Sequence, residues 1–201
     1  MRCIDEVPAG DLKGKRVLVR AGLDLSLDDK GEATDVFRVQ KACPTLKYLS
    51  ERGARVIILS HIGRDPQVSN APVGRAINKY LKVFYVPDLL GPAARDAVDS
   101  MKEGEIVLLE NLRQRYDLEK ANDESFARSL ASLGEIYVND AFSNSHRRHA
   151  SMIGIPKLLQ SYAGFIVRDE IAALTEALHP PSPSLAIIGG VKFEKKDPVI
   201  R

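Results

Sequence analysis

Arginine and histidine recur in this sequence at one kind of place, directly after a short apolar run. Arg20 closes KRVLVR, and Gly22 and Asp24 come just beyond it. RVIILS leads into SHIGR, which supplies His61 and Arg64. IVLLE leads into NLR, with Asn111 and Arg113. IYVN leads into Asp140 and then SNSHRRHAS, with His146, Arg147, Arg148 and His149. Arg38 stands at the start of a helical stretch. A guanidinium is a planar fork of donors that matches carboxylate and phosphate oxygens, often two at a time. Several such forks together with histidine read as a site for a small polyanion, such as a phosphorylated acid. Taken singly, each arginine reads better as a solvated side chain or half of a structural ion pair. The anion site rests on four loops sharing one pattern.

His61, beside Arg64, reads as an anion contact rather than a general base. His146 and His149 have the i, i+3 spacing of a metal pair. No Asp, Glu or Cys near them in sequence completes a ligand set, and two arginines lie between, so zinc is not expected. Gly189-Gly190, followed by Lys192 and Lys196, offers turn amides and ammonium groups to phosphates. It lacks the GxxxxGK[ST] pattern, and a tight turn with solvated lysines explains it as well.

These residues need elements to place them. Lys15–Arg20, Arg55–Ser60, Val83–Val86, Ile106–Glu110, Ile136–Asn139 and Leu185–Ile188 are near-continuous apolar runs, as in parallel strands buried on both faces. Between them lie expected helices. Phe37–Arg52 sets Val39, Ala42, Leu46 and Leu49 on one stripe and stops at Gly53, with Pro44 inside it expected to kink or restart the helix. Val73–Leu81, Pro92–Met101, Asp123–Leu133 and Arg168–Leu178 are the others, Pro92 suiting a first turn and Asp123 an N-cap. Strand and helix in alternation imply an α/β fold, a Rossmann-like open parallel sheet with helices on both faces. Such sheets bind ligands beyond the carboxyl ends of their strands, where the arginines fall. No GxGxxG follows a strand, which argues against a dinucleotide fold. His179–Ser184 (HPPSPS) reads as a stiff linker. The expected division is a domain over 1–164, an interdomain helix and linker over 165–184, and the truncated start of a second domain over 185–201.

The 201 residues are 44% hydrophobic and 28% charged, an ordinary globular composition. A net charge of +2 lacks the basic excess of a general nucleic-acid binder. No apolar run reaches the roughly 18 residues of a membrane span. Cys3 and Cys43 form no CxxC pair, and the start lacks an apolar signal segment, so a cytoplasmic location is expected.

KRVLVR, PTLKYLSERGARVIILSHIGR, GEIVLLENLR, YVNDAFSNSHRRHAS and AIIGGVK, in this order, resemble phosphoglycerate kinase across nearly the whole chain. The resemblance implies phosphate transfer between ATP and 3-phosphoglycerate in glycolysis, with magnesium. It implies a substrate site built from Asp24, Arg38, His61, Arg64, Arg113 and Arg147. Arg38 would bridge to the transferring phosphoryl group, Lys192 would reach it from the other domain, and Lys196 would bind the nucleotide. The family usually reads VRVDFNVP where this chain has VRAGLDLS, so Gly22 replaces Asp and Asp24 replaces Asn. Asp65 follows SHIGR where Pro is common, and GGVKFEKK replaces GGAKVSDK with the lysine spacing kept. The family's chain is longer, and its other half binds ATP/ADP and Mg2+. The parent is expected to be a monomer. This chain alone is expected to hold 3-phosphoglycerate weakly, to bind neither nucleotide nor metal well, and to be inactive. The alternative is a degenerate, non-catalytic anion-binding or interaction domain of the same fold.

Overall fold

A computed structural model describes residues 2–185 and 187. Its sheet has six strands: β1 (Arg16–Ala21), β2 (Arg55–Leu59), β3 (Phe84–Tyr85), β4 (Ile106–Leu108), β5 (Ile136–Asp140) and β6 (Gln160–Ala163). Every pair is parallel, in the order β3-β4-β2-β1-β5-β6. The helices are α1 (Ala9–Leu12), α2 (Phe37–Glu51), α3 (Ala71–Ile77), α4 (Pro92–Ser100), α5 (Tyr116–Ala121), α6 (Glu124–Ala131) and α7 (Phe165–Leu178). Residues 1–170 form one compact unit. This is the expected open parallel α/β sheet.

Strand alternation divides the core in two. Val17, Val19, Val56, Ile58, Leu108 and Val138 face one side and pack on Val39, Ala42, Leu46 and Leu49 of α2 and Val73 and Ile77 of α3. Leu18, Ile57, Leu59, Val107 and Tyr137 face the other and pack on Ala94 and Val98 of α4 and Phe126 and Leu130 of α6. Each large aliphatic side chain buried this way contributes about 1.5–3 kcal/mol. Helices therefore cover both faces, as the unbroken apolar runs require.

The local signals mark many boundaries. The Asp123 carboxylate accepts from the Phe126 amide at 2.8 Å as the N-cap of α6, and Pro92 opens α4. Gly53 follows α2 at φ +72°, a left-handed position that favours glycine. Three expectations need correction. Pro44 does not restart the helix: it lies inside one helix that runs from Phe37 to Glu51. Proline leaves the Gln40 carbonyl without its helical donor, and both residues are exposed, so water can serve that carbonyl. The helix expected over 73–81 runs instead from Ala71 to Ile77. Asn78 ends it by bonding both the amide (2.9 Å) and the carbonyl (3.0 Å) of Val83. β6 was not expected at all. It is a short edge strand whose first two residues are exposed, so no apolar run announces it.

Ala186 and Ile188 of the expected strand at Leu185–Ile188 lie outside the described residues. Gly189, Gly190, Lys192 and Lys196 lie wholly outside them.

Candidate functional site

From β1 the chain crosses to β2 through α2, on one face of the sheet. After β5 it crosses to β6 in the opposite direction, through residues that pack on the other face. The carboxyl ends of β1 and β5 thus form a topological switch point, where open sheets leave a crevice. The loops after β1, β2, β4 and β5 meet there.

Arg20 lies two residues beyond Leu18 on the same face and is only 1% exposed. Its Nε donates to Ser151 Oγ (3.1 Å), one terminal nitrogen to the Ala21 carbonyl (2.6 Å), and the other meets His61 Nδ1 (2.8 Å). His61 is buried, and its Nε2 lies 3.6 Å from Asp24 Oδ2. The other Asp24 oxygen accepts from the Gly63 amide at 2.8 Å. Arg113 donates to the Gly63 carbonyl and lies over the Tyr116 ring, 5.4 Å from its centroid. Arg20, His61, Leu112, Arg113, Tyr116, Glu119 and His149 line one hollow. Arg147 Nε is buried and has no acceptor among the described residues.

Arginine charges outnumber the carboxylates around His61. Burial and then the charges of Arg20, Arg113, Arg147 and His149 push the His61 imidazole down to about 3. His61 is therefore neutral at physiological pH. Burial also raises the Glu119 carboxyl, but the His149 ring, the Arg20 charge and the Ser151 hydroxyl and amide outweigh it, leaving Glu119 below its ordinary value.

His61, Asp24, Arg113 and Arg147 are thus drawn toward one place from four loops. Arg64, three residues beyond His61, is exposed and makes no side-chain hydrogen bond or ion pair among the described residues. Arg38, also exposed, sits in the first turn of α2. A crossover helix starts at the carboxyl edge of a parallel sheet, so Arg38 belongs to the same edge. Lys192 and Lys196 are outside the described residues.

Sequence reasoning missed Glu119 and Ser151. Glu119 is buried, accepts from the Ser151 amide at 2.9 Å and from its hydroxyl, and lies 3.6 Å from His149 Nδ1. No acid stands near His149 in sequence; the fold brings this one from α5. The stretch YDLEKA has a single partly buried aliphatic residue, Leu118, and so gave little helical signal. Ser151 is legible only as the last residue of HRRHAS.

Most polar groups here are guanidinium and imidazole nitrogens, both Glu119 oxygens are taken by Ser151 and one Asp24 oxygen by the Gly63 amide, whereas magnesium takes several oxygen ligands. Among the described residues no group of three or more His, Cys, Asp or Glu is placed to hold a metal ion. The hollow does not fit Mg2+.

The fold and the site define an α/β protein whose six-stranded sheet is all parallel, with an arginine-lined hollow at its switch point. The phosphoglycerate kinase family profile matches residues 4–201. The chain belongs to the phosphoglycerate kinase family, whose members are phosphotransferases. It is 45% identical over 199 residues to phosphoglycerate kinase of Aquifex aeolicus, covering 95% of this chain and 50% of the relative. Against phosphoglycerate kinase 1, chloroplastic, of Arabidopsis thaliana it is 43% identical, covering 99% of this chain and 43% of the relative. The crystal structure of phosphoglycerate kinase from Pyrococcus horikoshii superposes with a TM-score of 0.87 at 29% identity, over 98% of this chain and 50% of that one. The enzyme from Coxiella burnetii gives 0.82 at 32%, over 97% and 50%. The chain spans about half the length of the relatives it matches. No helix among the described residues is long and apolar enough to cross a membrane.

Proposed function

We propose that this chain carries the 3-phosphoglycerate site of a glycolytic phosphoglycerate kinase. The observation that carries the reading is the buried, unpaired Nε of Arg147 among the charges of Arg20 and Arg113 around a neutral His61. A buried donor without an acceptor is costly unless a ligand satisfies it, and a guanidinium suits a phosphate or carboxylate oxygen. His61 adds a neutral N–H donor, and the exposed Arg64 would supply a further cation. Arg38 would reach the transferring phosphoryl group, Lys192 would meet it, and Lys196 would hold the nucleotide. Phosphoryl transfer depends chiefly on alignment and charge neutralisation, which such a ring of cations supports. ATP/ADP and Mg2+ would be held by residues other than those of the hollow, and the 201-residue chain alone would lack turnover. The proposed division into a substrate domain (1–164), a connecting helix and linker (165–184) and the start of a nucleotide domain (185–201) belongs to the same reading, as does a cytoplasmic, monomeric parent.

One observation favours a second reading, a degenerate anion-binding domain. Asp24 turns a carboxylate toward His61, inside the site an anion would use. Calorimetric titration of 3-phosphoglycerate tests the main reading. Arg147→Ala should weaken binding by about 1.5–3 kcal/mol, the worth of a charge-assisted hydrogen bond. No binding by the unaltered chain, or equal affinity in the variant, would overturn it.

A further inference from the structure

The hollow has a second layer that follows from the direction of each proton. Arg20 carries only donors, so its 2.8 Å contact with His61 Nδ1 requires the lone pair on Nδ1. The His61 proton then sits on Nε2, the nitrogen that faces Asp24. Arg20 is held in turn. Its Nε donates to Ser151 Oγ, and the hydroxyl has one proton, which it donates to Glu119. Glu119 also accepts from the Ser151 amide, and Tyr137 donates to the Ser151 carbonyl at 2.7 Å. Arg20, Ser151, Glu119 and Tyr137 are all buried.

We propose that Glu119 is a positioning residue for this hollow: through the Ser151 hydroxyl and the buried Arg20, it fixes His61 as the Nε2–H tautomer. His61 then meets an anion as a neutral donor, and the positive charge comes from arginine. The ligand part rests on the proposed 3-phosphoglycerate site; the tautomer does not.

Glu119 suits the task because a buried guanidinium needs a nearby negative charge, and an uncompensated one is strongly destabilising. Its carboxylate raises the Arg20 pKa against the dominant effect of burial, which lowers it. Without that charge Arg20 is drawn toward water, and Nδ1 loses its donor. The same carboxylate grips the turn that carries His149, Ala150 and Ser151, so one acid orders two of the four loops. The groups facing His61 are Arg20, Arg113, Arg147, His149 and Asp24. Four of them oppose its protonation and one favours it, and burial adds to the opposition.

The test reads the imidazole directly. Long-range proton–nitrogen correlation spectra of the nitrogen-15-labelled 201-residue chain report the His61 tautomer from pH 5 to 8. Inorganic phosphate affinity is measured beside it by calorimetry. The unaltered chain should show the Nε2–H form without titration across that range. Ser151→Ala and Glu119→Gln should shift His61 toward a mixture of tautomers that titrates within the range, and weaken phosphate on the order of tenfold. An Nδ1–H form in the unaltered chain, titration of His61 there between pH 5 and 8, or folded variants with unchanged His61 spectra would overturn the proposal. If Glu119→Gln does not fold, the Ser151→Ala spectra decide. The 3-phosphoglycerate reading stands or falls on its own titration, and the spectra decide the tautomer either way.

Discussion

Asp24→Asn should tighten anion binding. The structure allows the exchange with little rearrangement. The amide oxygen can keep the 2.8 Å bond from the Gly63 N–H, while an NH2 group replaces the oxygen that lies 3.6 Å from His61 Nε2. An anion oxygen accepting from that Nε2–H at hydrogen-bond distance would sit within a few ångströms of the Asp24 carboxylate. Two unit charges at ~4 Å interact by about 1 kcal/mol in water and about 4 kcal/mol at the effective dielectric of a protein surface. The Asp24 side chain is 42% exposed, so the lower part of that interval applies. Losing about 1–2 kcal/mol of repulsion corresponds to roughly a five- to thirtyfold gain in affinity. The assay is calorimetric titration with inorganic phosphate and 3-phosphoglycerate at low and high salt. The gain should shrink as salt screens the half-exposed charge. Gly22→Asp, added to Asp24→Asn, separates charge from hydroxyl recognition. A Cβ at Gly22 meets only ordinary contacts, 3.6 Å from Ala141 Cα and 3.8 Å from Ser143 Oγ. The new carboxylate should help 3-phosphoglycerate, which has a hydroxyl to donate, and not inorganic phosphate. Equal affinity for both ligands in the unaltered chain and Asp24→Asn at low salt would refute the reasoning.

Asp140 should give the fold a distinctive pH dependence. It is buried, accepts from the Ile166 amide at 2.9 Å near the start of α7, and leaves Oδ2 without a partner among the described residues. Burial raises its carboxyl from 3.8 to about 6, with Thr45 and the amides of Ile166 and Val167 acting in the opposite direction. The folded state then binds this proton more tightly than the unfolded state. Asp140's contribution to stability falls as pH rises from about 4 to 6, by about 3 kcal/mol, and is level above that. Asp88, Glu119 and Glu135, whose carboxyls lie below their ordinary values, act in the reverse sense. The difference between the unaltered chain and Asp140→Asn in urea melts across pH therefore isolates the effect; parallel curves would disprove it. Gly164→Ala should lower stability by about 1–3 kcal/mol, because a Cβ there overlaps the Asp140 carboxylate; an unchanged urea midpoint would count against this packing. The 201-residue chain should show no ATP-dependent phosphorylation of 3-phosphoglycerate in a coupled assay, since the proposed acceptor site alone does not align a phosphoryl donor; turnover above the enzyme-free rate would refute that assignment.

Local chemistry in this chain is legible wherever a residue's neighbours in sequence are also its neighbours in space. The apolar runs at Val17–Val19, Val56–Leu59 and Ile136–Val138 require strands covered on both faces, and Asp123 and Gly53 punctuate helices within a turn of themselves. Basic residues after successive strands imply a shared edge, because parallel topology sends every carboxyl end the same way. The family resemblance rests on those same loops. β6 was illegible because its edge position leaves half of it in water, with no apolar demand on its sequence. The protonation of the site was illegible for another reason. Arg20 looks like any basic residue at the end of a strand. Its burial, and with it the His61 tautomer, depends on Ser151, 131 residues away, and on Glu119 from a helix with little apolar pattern. A charge in the interior is set by what stands across from it, and only the tertiary structure decides that.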